Sequence, residues 1–474
     1  AYDGLGRLST RKVYVNGSAY TTAYAYAPGA ESGQTTALVQ EITQPGENHS
    51  YAYDNVGNIV SAARNGVTTT YAYDALGQLI RVNDPNDGTW TYEYDCGGNI
   101  LNKKQYAYTT GTLGTVQQIV SYAYGDADWK DKLTRYNGVD IAYDAIGNPI
   151  HDGVWTYTWE NGRQLRRMAC DATIAEFVYN ADGLRVQKTV NGVTTNYTLH
   201  GKNIVHMTKG NAELHFWYDA QNRPAIVEFN GTKYGYLYNL QGDVIGLIDS
   251  ANTEVVKYTY DAWGKPLAVT GSLANTIGYY NPFRYRGYVY DVETGLYYLR
   301  SRYYNPRWGR FVNADIIVEN NMFSYTQNSV ISYSDAGGKK RKKGISVIIT
   351  PVKVNNYDIM SNGSCDLYEA ALQYKQLYQD KTFLNISIES ASATSENYSI
   401  STRAYKWGEQ AVYDFADVLD VLSDDIGSFI DVVLQMHGFN CDLGPLIGFT
   451  VARISDCIKA TVINTNAHQY TAYE

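Results

Sequence analysis

The chain has little of what builds helical bundles or cross-linked small domains: 5 Met, 11 Phe and 5 Cys in 474 residues. The cysteines, Cys96, Cys170, Cys365, Cys441 and Cys457, are too few and too unevenly placed for a disulfide framework or a zinc cluster. No apolar run approaches the roughly 18 residues that a membrane-spanning helix needs. The first residue is Ala1, with neither a Met nor a basic-then-apolar leader, which reads as a cut into a longer protein. A basic surplus is missing too. Residues 1–344 set 32 Lys and Arg against 32 Asp and Glu, and residues 345–474 set 7 against 16, so the whole net charge of −9 sits in the tail. That tail lacks the cationic footprint that supplies most nucleic-acid affinity, which lowers nucleases among its candidate activities without excluding them.

What the chain does have is 46 Tyr and 42 Gly, a composition of extended strands and tight turns. A motif, Tyr-Asp/Asn-x-x-Gly, recurs at Tyr2-Asp3, Tyr53-Asp54, Tyr73-Asp74, Tyr94-Asp95, Tyr143-Asp144, Tyr179-Asn180, Tyr238-Asn239 and Tyr260-Asp261. Several copies lie 20, 21 or 22 residues apart, and a short fixed period implies stacked units that bury their apolar faces on one another. Ahead of the motif aromatics alternate with small or polar residues, as in Trp90-Tyr92-Tyr94, Trp155-Tyr157-Trp159 and Tyr234-Tyr236-Tyr238. That is the period of a strand with one aromatic face. The Asp or Asn is expected to cap a turn and the Gly to accept a positive φ. Asn16-Gly17, Asn65-Gly66, Asn137-Gly138, Asn191-Gly192 and Asn230-Gly231 fall between motifs and suit two-residue hairpins. The expected fold is therefore mainly β, a strip of consecutive hairpins. Glycan binding by the aromatic rows would require that they face solvent.

The repeats resemble the YD repeats of Rhs proteins, bacterial wall-associated proteins, insecticidal toxin-complex C subunits and teneurin shells. The resemblance covers about residues 1–279 and implies a β strip that spirals into a hollow shell. Residues 280–338 resemble the Rhs-associated core that plugs such a shell, through Tyr285-Arg286-Gly287, Asp291, Thr294-Gly295-Leu296-Tyr297-Tyr298, Arg302-Tyr303-Tyr304 and Gly309-Arg310-Phe311. In many relatives two Asp-Pro elements follow and form a self-cleaving aspartyl site. By position these would be Asp315 and Asp335, both of which have lost the following Pro. The resemblance implies a cut near Gly338, provided the two carboxylates come close enough to share a proton.

The run Lys339-Lys340-Arg341-Lys342-Lys343 reads as a linker, 339–344, ahead of an acidic domain at 345–474. There the apolar runs Ile345–Ile349, Phe383–Ile388, Phe429–Leu434 and Ala460–Ile463 alternate with helical periodicity at Asp366–Tyr378 and Glu409–Leu422. This predicts a small α/β domain with a mostly parallel sheet. The run Ile430–Met436 ends in His437-Gly438, similar to the strand-then-His-Gly signature of caspase-like peptidases. No Cys follows the next apolar run, so the nearest nucleophile candidates are Cys441 and Cys457. The spacing of His437, Cys441 and His468 matches no metal-ligand pattern, and no cofactor is expected. The resemblance implies a secreted or surface toxin whose shell encloses or presents its own C-terminal effector, with an immunity protein and an unknown target-cell molecule as partners. The alternative is a glycan-binding adhesion protein.

Overall fold

The computed structural model describes residues 1–29, 34–315, 321–335 and 342–343 with, beyond these, the backbone of four strands between 384 and 441. The chain divides into two units, Ala1–Ile348 and Ile349–Glu474. In the first, twelve strands from Thr10–Val15 to Val139–Asp140 form one sheet and fourteen from Ala142–Tyr143 to Pro266–Thr270 a second, each strand pairing with its sequence neighbours.

Two kinds of turn make this meander. The Asn-Gly pairs close two-residue hairpins, with Val15 facing Ser18, Val190 facing Val193 and Phe229 facing Thr232. At Asn191 and Gly192 φ is +48° and +82°, the double left-handed conformation that matches the twist of the flanking strands. The Tyr-Asp motif makes the other turn. Asp74 accepts hydrogen bonds on Oδ1 from the amides of Leu76 at 2.9 Å and Gln78 at 2.8 Å, while Gly77 turns at φ +76°. Both roles expected from the sequence are thus observed. Two further turns of this type escaped the sequence pattern, Asp219 with Asn222 at φ +57° and Asp249 with Asn252 at φ +61°, because asparagine replaces the glycine in both and Ile248 the tyrosine in the second.

The motif tyrosine has a second task. Tyr73 donates its hydroxyl to the carbonyl of Ile59 at 2.6 Å, Tyr179 to Leu165 at 2.9 Å and Tyr238 to Pro224 at 2.7 Å. Ile59 and Pro224 are the residues paired with the preceding motif's Tyr53 and Tyr218, so each repeat is tied to the one before it. Phenylalanine could fill the same volume but not donate that bond.

The aromatic rows turn inward. Tyr92, Tyr157 and Tyr236 are buried, and Trp90, Tyr94, Trp155 and Trp159 pack against the same core. The exposed aromatic face that glycan stacking requires is therefore not formed by these rows. The two sheets also touch each other, through Tyr20 donating to the Tyr236 carbonyl at 2.8 Å and Arg11 pairing with Asp219 at 3.0 Å.

Between the sheets lies the segment that follows the last wall strand. It begins with one helical turn, Ile277–Tyr280, and continues as a small antiparallel sheet of Val289–Asp291, Leu296–Tyr298, Tyr303–Asn305 and Arg310–Phe311. Tyr297, Tyr304, Phe311 and Tyr325 are fully buried and join the core of the wall. Tyr333–Ser334 then pairs with Lys342–Lys343, so the end of the basic run is held against the plug backbone.

In the second unit Leu384–Ala393 pairs antiparallel with Tyr398–Lys406, which pairs parallel with Ile430–Met436, which pairs antiparallel with Phe439–Cys441. The two antiparallel pairs are joined by the short connections 394–397 and 437–438, which leave no room for a crossover. The expected strands Ile345–Ile349 and Ala460–Ile463 and both helical stretches lie outside the described residues.

Candidate functional site

Asp315 and Asp335 meet at the end of the plug. Past Arg310–Phe311 the chain runs antiparallel to 322–323: the amide of Phe311 bonds the carbonyl of Phe323 and that of Asp315 the carbonyl of Met322, both at 2.9 Å. This places Asp315 beside Arg302, whose Nη2 lies 2.7 Å from Asp315 Oδ2 and 3.3 Å from Asp335 Oδ2. The two carboxylate oxygens can be no farther apart than the sum of those distances. Asp315, Asp335 and Arg302 are 1%, 3% and 6% exposed, so their charges act in a medium that screens poorly. Arg302 is fixed from two other sides, with its guanidinium 3.5 Å from the centroid of the Phe311 ring and its Nη1 donating to the Met322 carbonyl at 3.1 Å.

The backbone at Asp335 is pinned as well. Its amide donates to the Tyr288 hydroxyl at 2.7 Å, and that hydroxyl sits 3.1 Å from the hydroxyl of Tyr325. Burial pushes the Tyr288 phenol well above its ordinary value, so it stays protonated. From the wall, Arg163 donates to the Ala314 carbonyl at 2.6 Å, next to Asp315. The arrangement brings two carboxylates onto one guanidinium nitrogen.

The plug is latched to the wall by buried charges that the motifs alone did not reveal. Asp291 takes a two-pronged ion pair from Arg185 at 2.6 and 3.0 Å and a third contact from Lys188 at 3.0 Å. Glu293 joins Lys188 and Lys209, each at 2.7 Å. On the opposite sheet Arg310 donates to Asn99 at 3.1 Å, Tyr124 at 2.8 Å and the Asp131 carbonyl at 2.6 Å. Arg310 and Asp291 were legible as plug motif residues; their wall partners, about a hundred or more positions away, were not.

The Teneurin YD-shell family model matches residues 63–334, more than half of the chain. The chain belongs to the teneurin YD-shell family. Among curated proteins the YD shell is 34% identical over 280 residues to the tRNA nuclease WapA of Bacillus subtilis (strain 168), covering 56% of this chain and 12% of that protein. It is 24% identical over 319 residues to the double-stranded DNA deaminase toxin A of Burkholderia cenocepacia, covering 59% and 22%. With human Teneurin-1 it shares 28% over 292 residues, covering 55% and 10%. The chain thus spans less than a quarter of the length of each of these relatives. In fold it is similar to a crystal structure of TcdB2-TccC3-Cdc42, with a TM-score of 0.53 at 17% identity over 72% of this chain and 20% of that one. The Rhs/YD-shell resemblance and the mainly β fold expected from the sequence are borne out.

The family match ends at residue 334 and does not reach the tail. His437 and Cys457 lie outside the described residues, and of Cys441 the structure describes only the backbone, which faces Leu434 in the strand pairing. Among the described residues no helix is long and apolar enough to cross a membrane.

Proposed function

We propose that this YD shell is the carrier part of an Rhs-type toxin, and that its plug cuts the chain near Gly338 to free the acidic segment 345–474 as an effector. The convergence of Asp315 and Asp335 on one nitrogen of Arg302 carries this reading. Arg302 lies nearer Asp315, at 2.7 Å against 3.3 Å for Asp335, and on that geometry Asp315 takes the role of base. Asp335, held less closely, is then the proton donor. In the step proposed, water attacks the scissile carbonyl and gives a proton to Asp315, Asp335 protonates the leaving amide nitrogen, and the C–N bond breaks into a new carboxyl and a new amino terminus. Two residues, Ala336 and Gly337, separate Asp335 from Gly338, so the chain that leaves the pair is the one to be cut.

Intact mass spectrometry tests this directly. The wild-type chain should yield a fragment boundary near residues 338–340, and Asp315→Asn and Asp335→Asn should each run at full mass. Identical spectra with no boundary there would remove self-cleavage from the reading.

The effector role draws support from the toxin and nuclease names of the relatives, and with it come a secreted or surface location, an immunity protein and a target-cell molecule as partners. Expression of residues 345–474 in a bacterial or yeast host is expected to arrest growth, and His437→Ala to relieve the arrest if that histidine is catalytic. Arrest that persists in the variant discards His437 as the centre. The adhesion alternative has less support, since the aromatic rows face the core.

A further inference from the structure

Three side chains meet on the exposed face of the fourteen-stranded sheet, away from the plug. His206 and His215 stand directly opposite each other on the antiparallel strands Asn203–Lys209 and Ala212–Tyr218. Their neighbours Met207, Leu214 and Phe216 point the other way and are buried in the core. The two imidazoles stack with ring centroids 4.5 Å apart. Glu213, two residues before His215, shares its face of the strand. Its Oε1 lies 3.1 Å from Nε2 of His206 and 3.8 Å from Nε2 of His215, and the three ligand atoms all fall within 4.8 Å of one another.

We propose that His206, Glu213 and His215 form a binding site for a divalent ion of the zinc class, which staples these two strands on the outer face of the wall. Two imidazole nitrogens and one carboxylate oxygen are the borderline donors that such an ion takes, with one position left for water. Tetrahedral bonds of about 2.0–2.1 Å put neighbouring ligand atoms roughly 3.3 Å apart. The distances of 3.1 and 3.8 Å bracket that value, and closing the third needs only rotation of side chains that are 29%, 57% and 43% exposed. Behind His215, Nδ1 lies 4.0 Å from Glu228 Oε1. With the ring proton on Nδ1, Nε2 is the lone-pair donor on the side of Glu213.

The rival account is an ordinary cross-strand His–Glu pair, worth about 0.2–1 kcal/mol. Such a pair needs one imidazole. Here both imidazoles turn the same ring nitrogen to a single carboxylate oxygen, which is the geometry of a shared ligand cage.

Titration of the intact chain with Zn2+, and with Co2+ for its spectrum, tests the proposal. The expected result is one site with a Kd of about 1 μM or tighter. Its Co2+ form should show visible ligand-field bands without a thiolate charge-transfer band, which separates it from any site built on cysteine. His206→Asn, His215→Asn and Glu213→Gln should each weaken binding about tenfold or more, while His151→Asn, an exposed histidine elsewhere on the wall, leaves it unchanged. Near-UV circular dichroism of the tyrosine-rich wall checks that each variant is folded, and one that is not is replaced by glutamine at a histidine position or asparagine at Glu213. Binding that neither histidine substitution alters, or a Kd near 1 mM in the wild type, overturns the site.

Discussion

Replacing Asp291 with alanine is expected to cost about 3–5 kcal/mol of unfolding free energy, because it strands the buried Arg185 without its counter-charge and leaves Lys188 with Glu293 alone. Arg185 and Lys188 are both buried, and Asp291 itself is inaccessible to solvent. The Arg185 guanidinium and Lys188 ammonium hold the Asp291 carboxyl below its ordinary value despite its burial, and Lys188 and Lys209 hold Glu293 down to about 2. A carboxylate depressed in this way stabilises the fold fully above its unfolded value, near 4, and the stabilisation is lost as the pH falls through the folded value. The gap between wild type and Asp291→Ala should therefore hold steady from about pH 5 to 9 and narrow below about pH 4. Chemical denaturation followed by near-UV circular dichroism measures it. The double substitution Arg185→Met with Asp291→Leu should recover part of the loss, since an apolar pair of similar volume leaves no buried charge from either residue. A single-variant cost under about 1 kcal/mol would mean that the latch is not a stabilising contact.

The second large effect is expected at Gly264, and it is sharpened by comparison with Gly242. Both close a Tyr-Asp-type turn, with φ at +85° and +87°. A Cβ at Gly242 meets nothing within 4 Å, whereas one at Gly264 would sit 2.4 Å from the ring of Tyr285 in the plug. Gly242→Ala should therefore cost about 1–2 kcal/mol, the penalty of the left-handed backbone alone. Gly264→Ala adds displacement of a packed ring and should cost a further 1–3 kcal/mol. It should also open the plug to limited proteolysis, because the Gly264 carbonyl accepts the Tyr297 hydroxyl at 2.7 Å from the same segment. Equal stability losses and equal digestion patterns in the two variants would show that Tyr285 yields freely and that this seam is loose.

The repeat chemistry was legible because it is local. A turn closed by Asp74 and Gly77, or by Asn191 and Gly192, needs only residues a few positions apart, and its geometry follows from side-chain reach and allowed φ. The pattern failed at Asp219 and Asp249 for an equally local reason: Asn222 and Asn252 adopt the conformation the motif reserves for glycine. The metal-type cluster was invisible for a different reason, since His206 and His215 become neighbours only through the register of a hairpin, not through a ligand spacing.

By itself, then, the sequence determined a meander of hairpins, the alternation of aromatic with small or polar residues along each strand and the two aspartates worth watching, because strands and tight turns are decided by residues within reach of one another. Only the tertiary structure decided what the inward face packs against and which charges meet. Arg185 finds Asp291, Arg310 finds Asn99, and Asp315 and Asp335 find the same nitrogen of Arg302. Those meetings depend on how the small twist and bulge at each turn accumulate over many strands, and on a buried plug that excludes the water which would otherwise screen the charges.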